Sequence, residues 1–214
     1  MIKAILFDLD GTLIDTNDLI IKSFKHAFRT HLNIEVDEKV IVNFFGEPLD
    51  LSFKTYDEEN VDTMVNIYRE FNEKNHDELA KSFEGIEEAL KGLKEIGVKI
   101  AVVTSKRRLL AERGLKLFKL KEYFDVIVTP EDTLLHKPNG EPVAKACQLL
   151  DIKTSEAIMV GDSHNDILCG RNAGSKTCLV KYTALAIEDL NKYNPDYVVE
   201  DLVELVNIVS KENK

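Results

Sequence analysis

Short apolar runs that alternate with longer amphipathic stretches constrain the fold of this chain more than any other feature. The runs are rich in β-branched side chains, which is typical of strands buried on both faces. They lie at 4–7, 98–103, 126–128, 157–160 and 177–180, with a last short run at 197–199. Stretches with helical periodicity lie at 86–96, 109–118, 142–150, 167–173 and 202–209. This alternation predicts an α/β fold in which helices cover both sides of a parallel sheet.

One segment, residues 16–81, breaks the alternation because it contains no convincing strand. Apolar residues at helical spacing predict four helices there. They run over 19–28, over 40–45, from a first turn at Pro48 to Tyr56, and over 61–79. We therefore predict an α-helical domain over 16–81, inserted into a core domain made of 1–15 and 82–214.

Composition excludes several classes of protein. The formal net charge is −10, whereas a protein that binds nucleic acid through its phosphates needs a basic face. The three cysteines have no paired spacing, so we predict free thiols rather than a disulfide framework or a zinc site. Asp8 and Asp10 interrupt the first apolar run, which excludes a signal peptide there, and no window is long enough to span a membrane. We therefore predict a cytoplasmic protein with no nucleic-acid or membrane partner.

Two aspartates directly follow the first predicted strand. Asp8 and Asp10 stand at its carboxyl end, next to Gly11 and Thr12, and ligands bind at that edge of an open parallel sheet. Two carboxylates this close repel each other unless they share a proton or a divalent cation lies between them. The alternative is an ordinary turn, since aspartate and glycine are common turn residues.

Polar residues follow three further predicted strands. Asp162 and Asp166 come after the run at 157–160, although helix capping would explain one of them. Thr104 and Ser105 follow the run at 98–103, where a hydroxyl and exposed amides could bind an anion. Lys137 lies on the loop after 126–128. Carboxylates that could hold a metal, a hydroxyl with amides and one lysine together predict a phosphoryl-transfer site.

The chain resembles the haloacid dehalogenase (HAD) superfamily over essentially its whole length. The four superfamily motifs occur in order, at 8–12, 104–105, 137 and 161–166. The resemblance implies a Rossmann-like core with a helical cap inserted after the first strand. It also implies a phosphohydrolase that acts on a small phosphorylated substrate.

The resemblance assigns roles to the motif residues. Asp8 would attack phosphorus and form an aspartyl-phosphate, while Asp10 would protonate the leaving oxygen and then activate water. Mg²⁺ would be held by Asp8, the backbone carbonyl of Asp10, and Asp162. Asp166 would orient Lys137 or a metal-bound water.

The same resemblance assigns the phosphoryl oxygens to three groups. These are Thr104, the amide of Ser105, and Lys137.

Several residues indicate which branch of the superfamily is closest. Dehalogenases do not need a carboxylate at Asp10, and the transport ATPases carry lysine there. The β-phosphoglucomutases place histidine where this chain has Ile20 and arginine in the loop where it has 46–50. The chain is most similar to the HAD-type inorganic pyrophosphatases of Gram-positive bacteria, with matches in 13–26, 68–77, 157–162 and 172–174. It departs from them at Gly140, where proline is more usual.

The cap would then set substrate choice, because the core motifs bind only one phosphoryl group. On the functional interpretation, His26, Arg69 or His76 contacts the second phosphate of pyrophosphate. On the alternative, the histidines are only partly buried helix residues. Two other functions stay open. The chain could hydrolyse a phosphomonoester such as phosphoglycolate, or it could be a non-catalytic binding protein, against which the intact motifs argue.

Overall fold

The computed structural model describes residues 1–214, which form two compact units. One unit consists of Met1–Asp15 and Ser82–Lys214, and the other of Thr16–Lys81. The smaller unit is continuous in sequence and interrupts the larger one. No helix in either unit combines the length and the apolar content needed to cross a lipid bilayer.

The two units contain eight strands and ten α-helices. The strands are β1 (Ala4–Phe7), β2 (Ile14–Asp15), β3 (Lys81–Ser82), β4 (Lys99–Val103), β5 (Val126–Val128), β6 (Ala157–Gly161), β7 (Lys176–Val180) and β8 (Tyr197–Val199). The helices are α1 (Asn17–Leu32), α2 (Glu38–Val42), α3 (Leu49–Lys54), α4 (Val61–Leu79), α5 (Ile86–Glu95), α6 (Arg108–Leu117), α7 (Glu141–Leu149), α8 (His164–Ala173), α9 (Ile187–Leu190) and α10 (Leu202–Glu212).

The larger unit is built on a six-stranded sheet with the order β5-β4-β1-β6-β7-β8. Every neighbouring pair in this sheet is parallel, which confirms the predicted α/β fold. β1 is completely buried, because both of its faces and both of its edges are covered. Its alternate residues Ala4 and Leu6 join the side chains of α7 and α8 in one apolar cluster. Such a strand is apolar throughout, and this explains the uninterrupted run in the sequence.

The smaller unit contains α1 to α4, with α1 and α3 packed against α4. Phe24 lies at the centre of its aromatic core, with ring centroids 5.1 Å from Phe53 and 4.9 Å from Tyr68. Helix α4 has the predicted bounds, Val61–Leu79. Pro48 lies just before α3 rather than in its first turn, so that prediction was wrong by one residue.

The two-residue strands β2 and β3 form a separate sheet that the sequence analysis did not predict. Lys81 belongs to β3, although 16–81 was expected to contain no strand. Two residues are too few to show an alternating pattern, so nothing in the sequence could indicate this pairing. The three cysteines are free and buried, as predicted.

Candidate active site

The carboxyl ends of three adjacent strands bring the motif residues to one edge of the sheet. β1 lies between β4 and β6, with Phe7 opposite both Val102 and Val160. The backbone N–H of Asp8 continues this pairing by donating to the carbonyl of Val160 at 2.8 Å. The parallel register therefore places Asp8, the Thr104 turn and the Asp162 turn side by side, as the strand order requires.

Lys137 is held between two carboxylates at this edge. Its Nζ donates to Asp8 Oδ1 at 2.8 Å and to Asp166 Oδ1 at 2.6 Å. Only 4% of the Lys137 side chain and 2% of that of Asp166 are exposed, against 13% for Asp8. Burial alone would lower the pKa of Lys137, but the charges of Asp166 and Asp8 outweigh it and hold that pKa above its ordinary value. Lys137 is therefore charged, and Asp8 is the most accessible member of the three.

Asp166 has two structural partners. Its Oδ2 accepts hydrogen bonds from the Ser163 hydroxyl at 2.7 Å and the Ser163 backbone N–H at 3.1 Å, which caps helix α8. Its Oδ1 accepts from Lys137. The capping interpretation and the functional interpretation of the sequence thus both apply to this residue.

Three carboxylates form a group that could bind a metal ion. Oxygen atoms of Asp8, Asp162 and Asp166 lie within 4.8 Å of one another. Burial raises the pKa of Asp8 to about 7, although Lys137 opposes the shift. Burial, and next the charges of Asp166 and Asp8, raise the pKa of Asp162 well above its ordinary value. The raised pKa values show that negative charge on these buried carboxylates costs free energy, which a bound cation would offset. Carboxylate oxygens are the ligands that hard divalent cations prefer, so the donor set fits such an ion.

Gly11 allows the Asp162 carboxylate to approach the first motif. Its φ is +77°, and a Cβ at this position would lie 2.3 Å from Asp162 Oδ2. A side chain would therefore be strained and would also displace the carboxylate.

Asp10 is not one of the three clustered carboxylates. Its Oδ1 instead accepts a hydrogen bond from Lys106 Nζ at 2.7 Å. The expected contribution of Asp10 to a metal site is through its backbone carbonyl, and this stays a prediction. The Lys106 side chain had no predicted role, although Lys106 directly follows Thr104 and Ser105 in the sequence.

The turn after β4 holds the residues predicted to bind phosphoryl oxygens. The Thr104 hydroxyl accepts a hydrogen bond from the backbone N–H of Lys106 at 3.1 Å. Thr104 is buried, whereas Ser105 is exposed. The turn therefore has a fixed shape with Ser105 at its accessible side.

Tyr182 is a further neighbour of the site that sequence reasoning missed. Its hydroxyl donates to the backbone carbonyl of Thr12 at 2.8 Å. Burial, and next the charge of Asp162, raise the pKa of this phenol, so Tyr182 stays a donor. The contact supports the turn that carries Asp10, and no local pattern predicts it because the two residues are 170 positions apart.

The loop that carries Lys137 is packed against the end of α8. The Asn172 side-chain amide donates to the Pro138 carbonyl at 2.9 Å. A Cβ at Gly140 would lie 2.5 Å from the backbone nitrogen of Ala173. Because backbone atoms cannot move aside easily, a side chain at 140 would push this loop away from α8. The difference from the pyrophosphatases at Gly140 therefore concerns how this loop packs against α8.

The three candidate residues of the helical unit differ in environment. Arg69 is exposed, whereas His76 is buried and its Nδ1 lies 2.9 Å from an Asp77 carboxylate oxygen. His26 is exposed and stacks on Phe71 with ring centroids 4.6 Å apart. The assignment of these three residues to substrate binding stays a prediction.

The edge of the sheet thus combines a buried lysine between carboxylates, a turn with a fixed hydroxyl, and a carboxylate cluster. The family model described as haloacid dehalogenase-like hydrolase matches residues 5–180. The chain belongs to this family. The predicted HAD resemblance is confirmed, and the protein is a HAD hydrolase of the phosphatase type. HAD-like hydrolases generally use a divalent metal, and the cluster of Asp8, Asp162 and Asp166 could bind one.

Relatives of this HAD hydrolase match it over its full length. A Clostridium perfringens protein that bears the name PpaX is 54% identical, and the match covers 100% of both chains. A Bacillus cereus protein named pyrophosphatase PpaX is 44% identical over 100% of this chain and 99% of its own. Among solved structures, a haloacid dehalogenase-like hydrolase from Streptococcus pneumoniae has a TM-score of 0.89 at 28% identity, covering 97% of this chain and 98% of its own.

Proposed function

We propose that this HAD hydrolase cleaves inorganic pyrophosphate to two phosphates, with Mg²⁺ and through an aspartyl-phosphate on Asp8. The observation that carries the chemistry is the bond from Lys137 Nζ to Asp8 Oδ1 beside the clustered carboxylates. The choice of pyrophosphate is supported by the full-length similarity to a protein named pyrophosphatase PpaX.

Asp8 is the nucleophile in this proposal. Its carboxylate forms a bond to one phosphorus while the bond from that phosphorus to the bridging oxygen breaks. Lys137 fixes the orientation of Asp8 through the 2.8 Å hydrogen bond and draws phosphoryl oxygens towards its positive charge. Asp166 in turn fixes Lys137. Thr104 and the amide of Ser105 hold the oxygens of the transferred group.

Asp10 moves the proton. It protonates the bridging oxygen as phosphate leaves, and then takes a proton from the water that attacks the phosphorus on Asp8. That second step releases the other phosphate and restores both carboxyl groups. Mg²⁺, when bound by Asp8, Asp162 and the backbone carbonyl of Asp10, supplies positive charge that offsets repulsion between the substrate and the buried carboxylates.

Titrating Mg²⁺ into the metal-free protein tests the carboxylate cluster. The pKa of Asp8 is raised to about 7, so its carboxyl is largely protonated below that pH and must lose the proton when the ion binds. We expect the affinity for Mg²⁺ to rise with pH across neutrality, because Asp8 and Asp162, whose pKa is also raised, must both be ionised to bind the ion. Calorimetry in buffers of different ionisation enthalpy measures the released proton. Equal affinities at about pH 6 and pH 8 would contradict the cluster as the binding site.

A substrate panel with phosphate readout tests the substrate. We expect kcat/KM for pyrophosphate to exceed that for phosphoglycolate and for p-nitrophenyl phosphate by at least about tenfold, which corresponds to about 1.4 kcal/mol in the transition state. The reason is that pyrophosphate carries negative charge on both of its phosphates, whereas p-nitrophenyl phosphate carries it on one. A preference for phosphoglycolate of the same size would refute the pyrophosphate proposal and leave the mechanism intact.

A further inference from the structure

Lys106 is a cation of the site whose side chain is largely buried and which the mechanism so far does not use. Its Nζ lies 2.7 Å from Asp10 Oδ1, and only 8% of its side chain is exposed. Its backbone N–H donates to the Thr104 hydroxyl, so the turn fixes the position of the Lys106 backbone. Lys106 and Asp10 both belong to the larger unit, so the pair is a feature of that unit alone.

The two lysines of the site differ in what they already bind. Lys137 donates to two carboxylates, Asp8 and Asp166. Lys106 donates to one, Asp10. An ammonium group has three N–H donors, so Lys106 retains the capacity to bind a further anionic oxygen while it stays bonded to Asp10.

We propose that Lys106 binds the leaving phosphate of pyrophosphate and makes the site selective for anionic leaving groups; this rests on the proposed function. Asp10 is the group that protonates the leaving oxygen, so that oxygen must come within a hydrogen bond of the Asp10 carboxyl. Lys106 is bonded to the same carboxyl. Two groups that share one carboxyl are separated by only a few ångströms, and Lys106 is therefore placed beside the leaving group.

The charge of the leaving group decides how much Lys106 contributes. A departing phosphate gains negative charge as the bond to the bridging oxygen breaks, and a cation with little exposure to water stabilises that charge strongly. The leaving group of a phosphomonoester has no phosphate to present to Lys106. If Lys106 only oriented Asp10, its loss would impair pyrophosphate and an alkyl phosphomonoester equally, because both leaving oxygens need the proton of Asp10.

The test compares Lys106→Gln and Lys106→Arg with the unmodified protein. For Lys106→Gln we expect kcat/KM to fall about 10- to 100-fold with pyrophosphate and by less than about threefold with glycerol 1-phosphate, an alkyl phosphomonoester whose leaving group needs a proton but carries no charge. Lys106→Arg keeps the charge and should recover most of the pyrophosphate activity. Lys94→Gln is the matched control, because Lys94 also binds one carboxylate, Asp125, but at the surface of the same unit; its activities should be unchanged.

A binding measurement gives a second readout that does not depend on turnover. Lys106→Gln should weaken binding of methylenediphosphonate, a pyrophosphate analogue that is not hydrolysed, by about tenfold and leave orthophosphate binding unchanged. Parallel losses with both substrates and both ligands would overturn the assignment of Lys106, even where the wild type prefers pyrophosphate. A wild type that prefers another phosphate ester would instead overturn the proposed function. The two failures are thus distinguishable.

Discussion

Replacing Asp8 by asparagine is expected to reduce pyrophosphate hydrolysis by at least about 1,000-fold. Asparagine keeps the shape of the side chain but removes the charge that would attack phosphorus. It also removes the carboxylate partner of Lys137 at 2.8 Å, so the lysine loses part of what orients it. Initial rates of phosphate release at saturating Mg²⁺ measure the effect.

The variant should still fold, because Lys137 keeps its bond to Asp166 and remains paired. Removing one of the like charges beside Asp162 also relieves repulsion in the buried cluster. Thermal unfolding should therefore show a melting temperature close to that of the wild type or above it. Asp189→Asn is the control, since this exposed aspartate pairs only with Lys192 at the surface. A kcat for Asp8→Asn within about tenfold of the wild type would contradict the covalent mechanism.

The sheet edge could be predicted from sequence because the apolar runs and the helical stretches between them are local signals. Asp8 directly follows the run at 4–7, Thr104 follows the run at 98–103, which only Lys99 interrupts, and Asp162 follows the run at 157–160 after one glycine. Parallel strands with helical connections point the same way, so their carboxyl ends must meet at one edge. The structure confirms this arrangement through the pairing of β1 with β4 and β6.

Side-chain partners beyond the strand ends could not be predicted in the same way. The direction of Asp10 depends on the turn at Gly11, whose backbone has positive φ. Its partner Lys106 is 96 positions away, and the partner of Tyr182 is farther still. Contacts of this kind follow from the packing of whole turns against each other, which no window of sequence records. The burial of His76, by contrast, follows the helical spacing of the buried stripe of α4, and the sequence left it open as an alternative.

Removal of divalent metal is expected to reduce hydrolysis by at least about 1,000-fold, and added Mg²⁺ should restore it. Asp8, Asp162 and Asp166 place three carboxylates within 4.8 Å of one another, and Lys137 provides only one positive charge among them. A doubly negative phosphate that approaches this group meets a net negative surface unless a cation is bound. Activity in excess EDTA, followed by titration with Mg²⁺, measures the requirement. Full turnover in the chelator would remove any role for the metal.

Two single substitutions separate a ligand of the metal from a neighbour that only organises the site. Both oxygens of Asp166 already accept hydrogen bonds, from Lys137 and from Ser163, so this carboxylate is committed to the protein. The Asp162 carboxylate lies against Gly11, and burial raises its pKa. A bound cation would offset the free-energy cost of ionising this buried carboxylate. Asp162→Asn should therefore raise the Mg²⁺ concentration for half-maximal activity by more than about tenfold. Asp166→Asn should lower kcat by releasing Lys137 and should shift the Mg²⁺ requirement less. If the two variants exchanged these effects, Asp166 would be the metal ligand and Asp162 the residue that orients the site.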